Sequence, residues 1–160
     1  MQFRHALTYD AAPDAVFAML ADPAFREKVC AAQDVVSADV RLTPSGDGFE
    51  LEMDQVQHTA GLPAIARKIT GDTTEVTLTE SWSSSTHGTL DVVTPGKPTT
   101  ASGTITLAAT GTGTTETVEL EITVKVPLVG GRLEGLMAEN IKSHMDVEHT
   151  VGAAWLAGEK

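Results

Sequence analysis

The chain has 160 residues, of which 41% are hydrophobic and 21% charged, and this predicts one globular domain over residues 1–160 with a sizeable core. The formal net charge of −11 leaves too few cations for the basic surface that nucleic acid or an anionic membrane requires, so we expect neither partner. The single cysteine and the absence of an apolar leader or a long apolar run predict a cytoplasmic protein without disulfides or stable membrane insertion.

The first 32 residues predict one strand followed by two short helices. Apolar and polar residues alternate over residues 2–9, which is typical of a strand with one buried face. Pro13 favours the start of a helix, which Asp22 and Pro23 interrupt, and a second helical segment covers residues 24–32.

Residues 34–126 alternate with a period of two and are divided by turn residues, which predicts six further antiparallel strands. After Gly130 and Gly131 the apolar residues recur at spacings of three and four until about Ala157. A helix of about 25 residues would be roughly 38 Å long, enough to cross the whole sheet.

The order of these elements predicts an α+β fold, in which a seven-stranded curved antiparallel sheet wraps around a long C-terminal helix and two short helices follow strand 1. Only 4% of the residues are aromatic, so one helix is not expected to fill the concave side of such a sheet. We therefore expect a cavity between the sheet and the helix.

This order resembles the helix-grip fold of the START and birch-pollen-allergen-like (SRPBCC) superfamily, and the resemblance covers nearly the whole chain. Within that superfamily, an actinobacterial family of uncharacterised function is similar in the stretches Phe3-Arg4-His5, residues 13–20, Asp22-Pro23-Ala24-Phe25, Leu62-Pro63-Ala64 and residues 126–131. Members of the superfamily include lipid carriers, plant-hormone receptors, aromatase/cyclases and chaperone activators. The resemblance therefore implies a fold and a cavity, and it implies no catalytic residues.

Polar residues continue the inward-facing positions of two predicted strands and interrupt the apolar stripe of the last helix. We expect the cavity to be lined by Met53, Gln55, Gln57, Glu80, Trp82, Met137, Asn140 and His144. A bulge or a strand end would instead turn the strand residues to solvent. The helical pair Asn140 and His144 also fits a hydrogen-bonded core histidine with an amide at the helix edge.

Other polar groups have simpler interpretations. Glu148 lies four residues after His144 and next to His149, but the chain has no H-E-x-x-H pattern and no evident third ligand, so we expect a solvated helix face and no metal or cofactor. The connection over residues 59–71 is a surface loop or a lid, and as a lid it would bring Arg67 or Lys68 to an anionic group of a ligand.

The leading hypothesis is a binding or carrier protein for a small hydrophobic or amphipathic molecule, lipid-like or polyketide-like, rather than an enzyme. A second hypothesis is a cyclase or dehydratase that uses the same cavity, with His144 or Glu80 as acid or base. A third is a protein-interaction module with a filled core and an exposed apolar patch.

Overall fold

The computed structural model describes residues 1–160 and has seven strands and four helices. In chain order the elements are β1 (Gln2–Tyr9), α1 (Pro13–Leu20), α2 (Pro23–Ala32), β2 (Ser37–Ser45), β3 (Gly48–His58), α3 (Ala64–Thr70), β4 (Thr73–Trp82), β5 (His87–Val93), β6 (Thr99–Thr110), β7 (Gly113–Val124) and α4 (Gly130–Leu156). The predicted α+β helix-grip fold is confirmed.

All seven strands form one antiparallel sheet in the order β1-β7-β6-β5-β4-β3-β2. Helices α1 and α2 carry the chain from one edge strand, β1, to the other, β2. The remaining strands follow one another as neighbours, and β7 returns to β1, where Phe3 lies opposite Leu120. The inward positions therefore line up across strands, as where Met53 of β3 lies opposite Leu78 of β4.

Helix α4 has 27 residues and is therefore roughly 40 Å long, as its apolar spacing predicts. The segment between β3 and β4 contains α3, a short helix that the sequence did not predict. Pro63 precedes it, and Gly71 ends it with a φ of 81°, a value that favours glycine. None of the four helices combines the length and the apolar composition needed to cross a bilayer.

The few aromatic side chains concentrate where α1 and α2 cover one end of the sheet. Trp82 stacks on Phe49 at a ring-centroid distance of 5.6 Å, and Phe17 of α1 lies 5.8 Å from Trp82. Nearby, Phe25 of α2 meets Trp155 near the end of α4 at 5.5 Å. Space remains beneath α4 over the rest of the concave face, from beside α2 to beside α3.

Candidate functional site

Two adjoining cavities lie between α4 and the concave face of the sheet. The outer cavity, next to α3, has a volume of about 130 Å³, and the inner cavity, towards α2, has a volume of about 90 Å³. The two are neighbours and have five lining residues in common: Gln57, Val76, Val92, Asn140 and Ile141. Asn140 lines both cavities and is also exposed, so it marks a point where the cavities open to solvent.

The outer cavity is predominantly apolar. Leu62, Ala66 and Ile69 close it from the α3 side, and Leu133 and Leu136 contribute from the first turns of α4. The cations of the same connection, at positions 67 and 68, are exposed and do not border the cavity. The helix therefore covers the space with its apolar face and offers no positive charge to it.

A chain of amides forms one wall of the inner cavity. Gln57 donates to the side-chain oxygen of Gln55 (2.8 Å), Gln55 donates to Gln33 (3.0 Å), and Gln33 donates to the backbone carbonyl of His144 (3.1 Å). These bonds connect β3 to α4 across the end of α2. Because each amide holds the next, the wall has a fixed orientation of donors and acceptors.

The floor of the inner cavity contains a buried ion pair. Arg26 of α2 is 2% exposed, and its Nη2 and Nη1 donate to the two carboxylate oxygens of Glu80 at 2.7 and 3.2 Å. The Nε of Arg26 donates to the carbonyl of Leu20 (2.8 Å), and the indole of Trp82 donates to Glu80 (2.9 Å). Burial lowers the pKa of Arg26, but the neighbouring carboxylates outweigh it and hold that pKa above its ordinary value.

Two more carboxyl groups approach this pair. Glu148 of α4 lies 3.6 Å from Nη1 of Arg26, and Glu116 of β7 is 4% exposed. Neither Oε2 of Glu116 nor the buried hydroxyl of Tyr9 has a hydrogen-bond partner. Burial, reinforced by Glu148 and Glu80, raises the pKa of Glu116 to about 8, and burial also raises the pKa of Glu148.

The structure places most of the predicted site residues at the two cavities. Those that border the inner cavity are Met53, Gln55, Gln57, Glu80, Asn140 and His144, whereas Met137 borders only the outer one. Burial lowers the pKa of His144, which keeps its ring neutral at neutral pH. No hydrogen bond joins Glu80 to His144, and no group of three or more His, Cys, Asp or Glu side chains is arranged to hold a metal ion.

Two sequence-based expectations need correction. Trp82 is buried as expected but borders neither cavity, because its ring fills the space beneath α1 by stacking on Phe49. Glu148 does not lie on a solvated helix face, because its side chain is only 21% exposed and faces the guanidinium of Arg26.

The structure adds Arg26 and Glu116 to the candidate site, and the sequence contains a signal for each of them. Glu116 precedes Val118 by two positions on β7, so alternation alone places it on the inner face. Arg26 lies three residues before Val29 and therefore shares the buried face of α2.

The chain belongs to the family described as "Protein of unknown function (DUF2505)", whose model matches residues 4–156. Its fold is that of the START and birch-pollen-allergen-like superfamily. No curated protein matches the chain.

Solved structures with this fold share little sequence with the chain. TTHA0849 from Thermus thermophilus is 19% identical, with a TM-score of 0.67 over 96% of this chain and 98% of that one. A START superfamily protein from Mycobacterium smegmatis is 13% identical, with a TM-score of 0.60 over 99% of each chain. The di-domain aromatase/cyclase StfQ from the steffimycin biosynthetic pathway is 13% identical, with a TM-score of 0.67 over 98% of this chain and 50% of that one.

Proposed function

We propose that this protein binds a small amphipathic molecule between the sheet and α4. The observation that supports this proposal most directly is the space itself, which is apolar beside α3 and has amide and carboxyl groups among its apolar lining beside α2. Burial of the ligand's apolar part would contribute about 25 cal/mol per Å² to affinity, and the polar end would fix its orientation.

The volumes restrict the size of the ligand. A cavity of about 150 Å³ accommodates a benzene ring. The two cavities, of about 130 and 90 Å³, therefore favour a molecule with one ring or a short alkyl chain and a polar head. Among lipid-like and polyketide-like molecules, the smaller ones fit this space.

Chemistry of the cyclase or dehydratase type is a second candidate function. It is favoured by Glu116, a buried carboxyl group that borders the cavity and whose raised pKa of about 8 keeps it protonated at neutral pH. His144, neutral and at the same cavity, would be the base, whereas Glu80 is held by Arg26 and Trp82. A filled-core interaction module has less support, because the space beneath α4 is not filled.

The direct test is native mass spectrometry of the protein purified from its own host, followed by organic extraction. A small molecule that co-purifies reproducibly and is recovered unchanged after incubation supports a carrier. Conversion of that molecule during incubation supports the enzyme. Protein that never carries a small molecule and binds no apolar probe contradicts both.

A pair of variants on β5 tests where binding occurs. Val92 lines both cavities, whereas its neighbour Val93 is exposed on the other face of the sheet. Val92→Phe is expected to abolish binding of toluene, measured by isothermal titration calorimetry, because the added ring occupies the junction of the cavities, and Val93→Phe is expected to retain it. In the same assay His144→Ala should change affinity more than the outward-facing control Glu121→Ala. Equal effects within either pair would place the binding site elsewhere.

A further inference from the structure

The inner cavity has more acidic groups than its one cation can balance. Glu80, Glu116 and Glu148 all border it, whereas Arg26 lies beneath them. The guanidinium is already engaged, because Nε bonds a backbone carbonyl and both Nη atoms bond Glu80. Because Arg26 is also 2% exposed and does not border the cavity, it presents no positively charged donor to an anionic ligand at this end of the space.

Glu116 is the group in this cluster that lacks a partner. Glu116 is only 4% exposed, and it borders the inner cavity. Its Oε2 accepts no hydrogen bond. A buried carboxyl oxygen without a partner costs free energy. The hydroxyl of Tyr9, which is also unpaired, lies near Glu116, and a charged donor supplied from the cavity would be the stronger partner for this oxygen.

The groups that face Glu116 come from four elements: Tyr9 of β1, Arg26 of α2, Glu80 of β4 and Glu148 of α4. Two of the four are carboxyl groups and one is a cation, and the pKa of Tyr9 is raised by burial and by Glu116 and Glu148, so its hydroxyl stays neutral. The surroundings of Glu116 therefore favour an added positive charge over an added negative one.

We infer that the inner cavity binds the ammonium group of a small amphipathic amine, with Glu116 as its main hydrogen-bond acceptor and the apolar part of the amine in the outer cavity. This inference rests on the proposed function, since it assumes that a ligand enters the space. An ammonium suits the site better than a metal ion, because the carboxyl groups are not arranged as metal ligands. When the ammonium binds, the carboxyl group of Glu116 ionises and its proton passes to the buffer.

The experiment is isothermal titration calorimetry of the purified protein at pH 7 with n-octylamine, n-octanol and octanoate, which have the same chain and differ in the head group. We expect octylamine to bind at least tenfold more tightly than octanol, with octanoate weakest. Repeating the titration in phosphate and in Tris, whose ionisation enthalpies differ, should show release of up to one proton with octylamine and none with octanol. Glu116→Gln should remove both the preference and the proton release, whereas Glu119→Gln, an exposed position on the same strand, should change neither.

The possible results separate the inference from the proposed function. Equal affinity for octylamine and octanol in the wild-type protein, or tighter binding of octanoate, overturns the inference and leaves the binding function intact. Failure of all three to bind overturns the inference, and failure of toluene as well overturns the proposed function. Because the wild-type comparison needs no variant, poor folding of Glu116→Gln does not prevent a decision.

Discussion

Replacing Arg26 by methionine tests whether the buried ion pair holds α2 against the sheet. Methionine keeps much of the side-chain volume but removes the charge and every donor. The variant therefore leaves Glu80 buried at 5% exposure without its cation, and it also removes the bond to the carbonyl of Leu20.

The size of the effect follows from these contacts. Removing one partner of a buried ion pair typically costs about 3–5 kcal/mol, because the other charge remains without compensation. We therefore expect Arg26→Met to lower the free energy of unfolding by roughly 4 kcal/mol. For a chain of this length, that loss corresponds to a fall in melting temperature of about 8–16 °C.

Urea denaturation followed by circular dichroism measures this difference, with two further variants for comparison. Arg41→Met removes an arginine that also contacts three carboxylates, Asp39, Glu52 and Asp54, but this arginine lies on the outer face with its side chain 44% exposed. We expect it to leave the denaturation midpoint nearly unchanged, because exposed ion pairs contribute little.

The double variant Arg26→Met/Glu80→Gln supplies the second comparison. It removes the uncompensated charge of Glu80 and leaves an amide oxygen that can still accept a hydrogen bond from the indole of Trp82. It should therefore be more stable than Arg26→Met alone. The reasoning is refuted if Arg26→Met costs no more than Arg41→Met, or if the double variant is less stable than the single one.

Two further predictions concern stability. In the folded state Glu116 has a pKa of about 8, whereas in the unfolded state it loses its proton near pH 4.5. The contribution of the protonated group to the free energy of unfolding is therefore complete below about pH 4.5 and disappears as the pH rises to 8. The urea midpoint of the wild-type protein should thus decrease as the pH is raised from 5 to 8. The decrease should be smaller in Glu116→Gln and unchanged in Glu119→Gln, and an unchanged decrease in Glu116→Gln argues against the assignment of this pH dependence to Glu116. In α4, Gly152→Ala places a Cβ 2.9 Å from the ring of Tyr9, and this overpacking should cost about 1–3 kcal/mol despite better helix propensity. Gly135→Ala, where the space is open, should stabilise by about 0.5–1 kcal/mol, and a higher melting temperature for Gly152→Ala would contradict the packing argument.

Local pattern was sufficient for the elements and for the side that each strand buries. Alternation turned Gln55 and Gln57 of β3 inward, and the same rule turned Glu80 of β4 inward, as their burial confirms. The reason is geometric, since successive side chains of a strand point to opposite faces whatever lies beyond them. Helix α3 was not predicted, because its seven residues are too few to show a clear helical period.

The contacts between these inward residues depended on the tertiary structure. Arg26 and Glu80 are 54 positions apart, and only the curvature of the sheet and the path of α2 bring them to 2.7 Å. The same folding turned Glu148 from an expected solvated position into the neighbour of a buried guanidinium. A helical period specifies which residues share a face, but not which of them meet a charge on another element.

By itself, the sequence determined the α+β architecture and the expectation of space beneath the last helix. The tertiary structure alone decided that this space has an apolar end and an acidic end. The physical reason is that burial and electrostatic interaction depend on distances between elements. An unpaired buried oxygen, such as Oε2 of Glu116, can be identified only when the positions of all neighbouring donors are known.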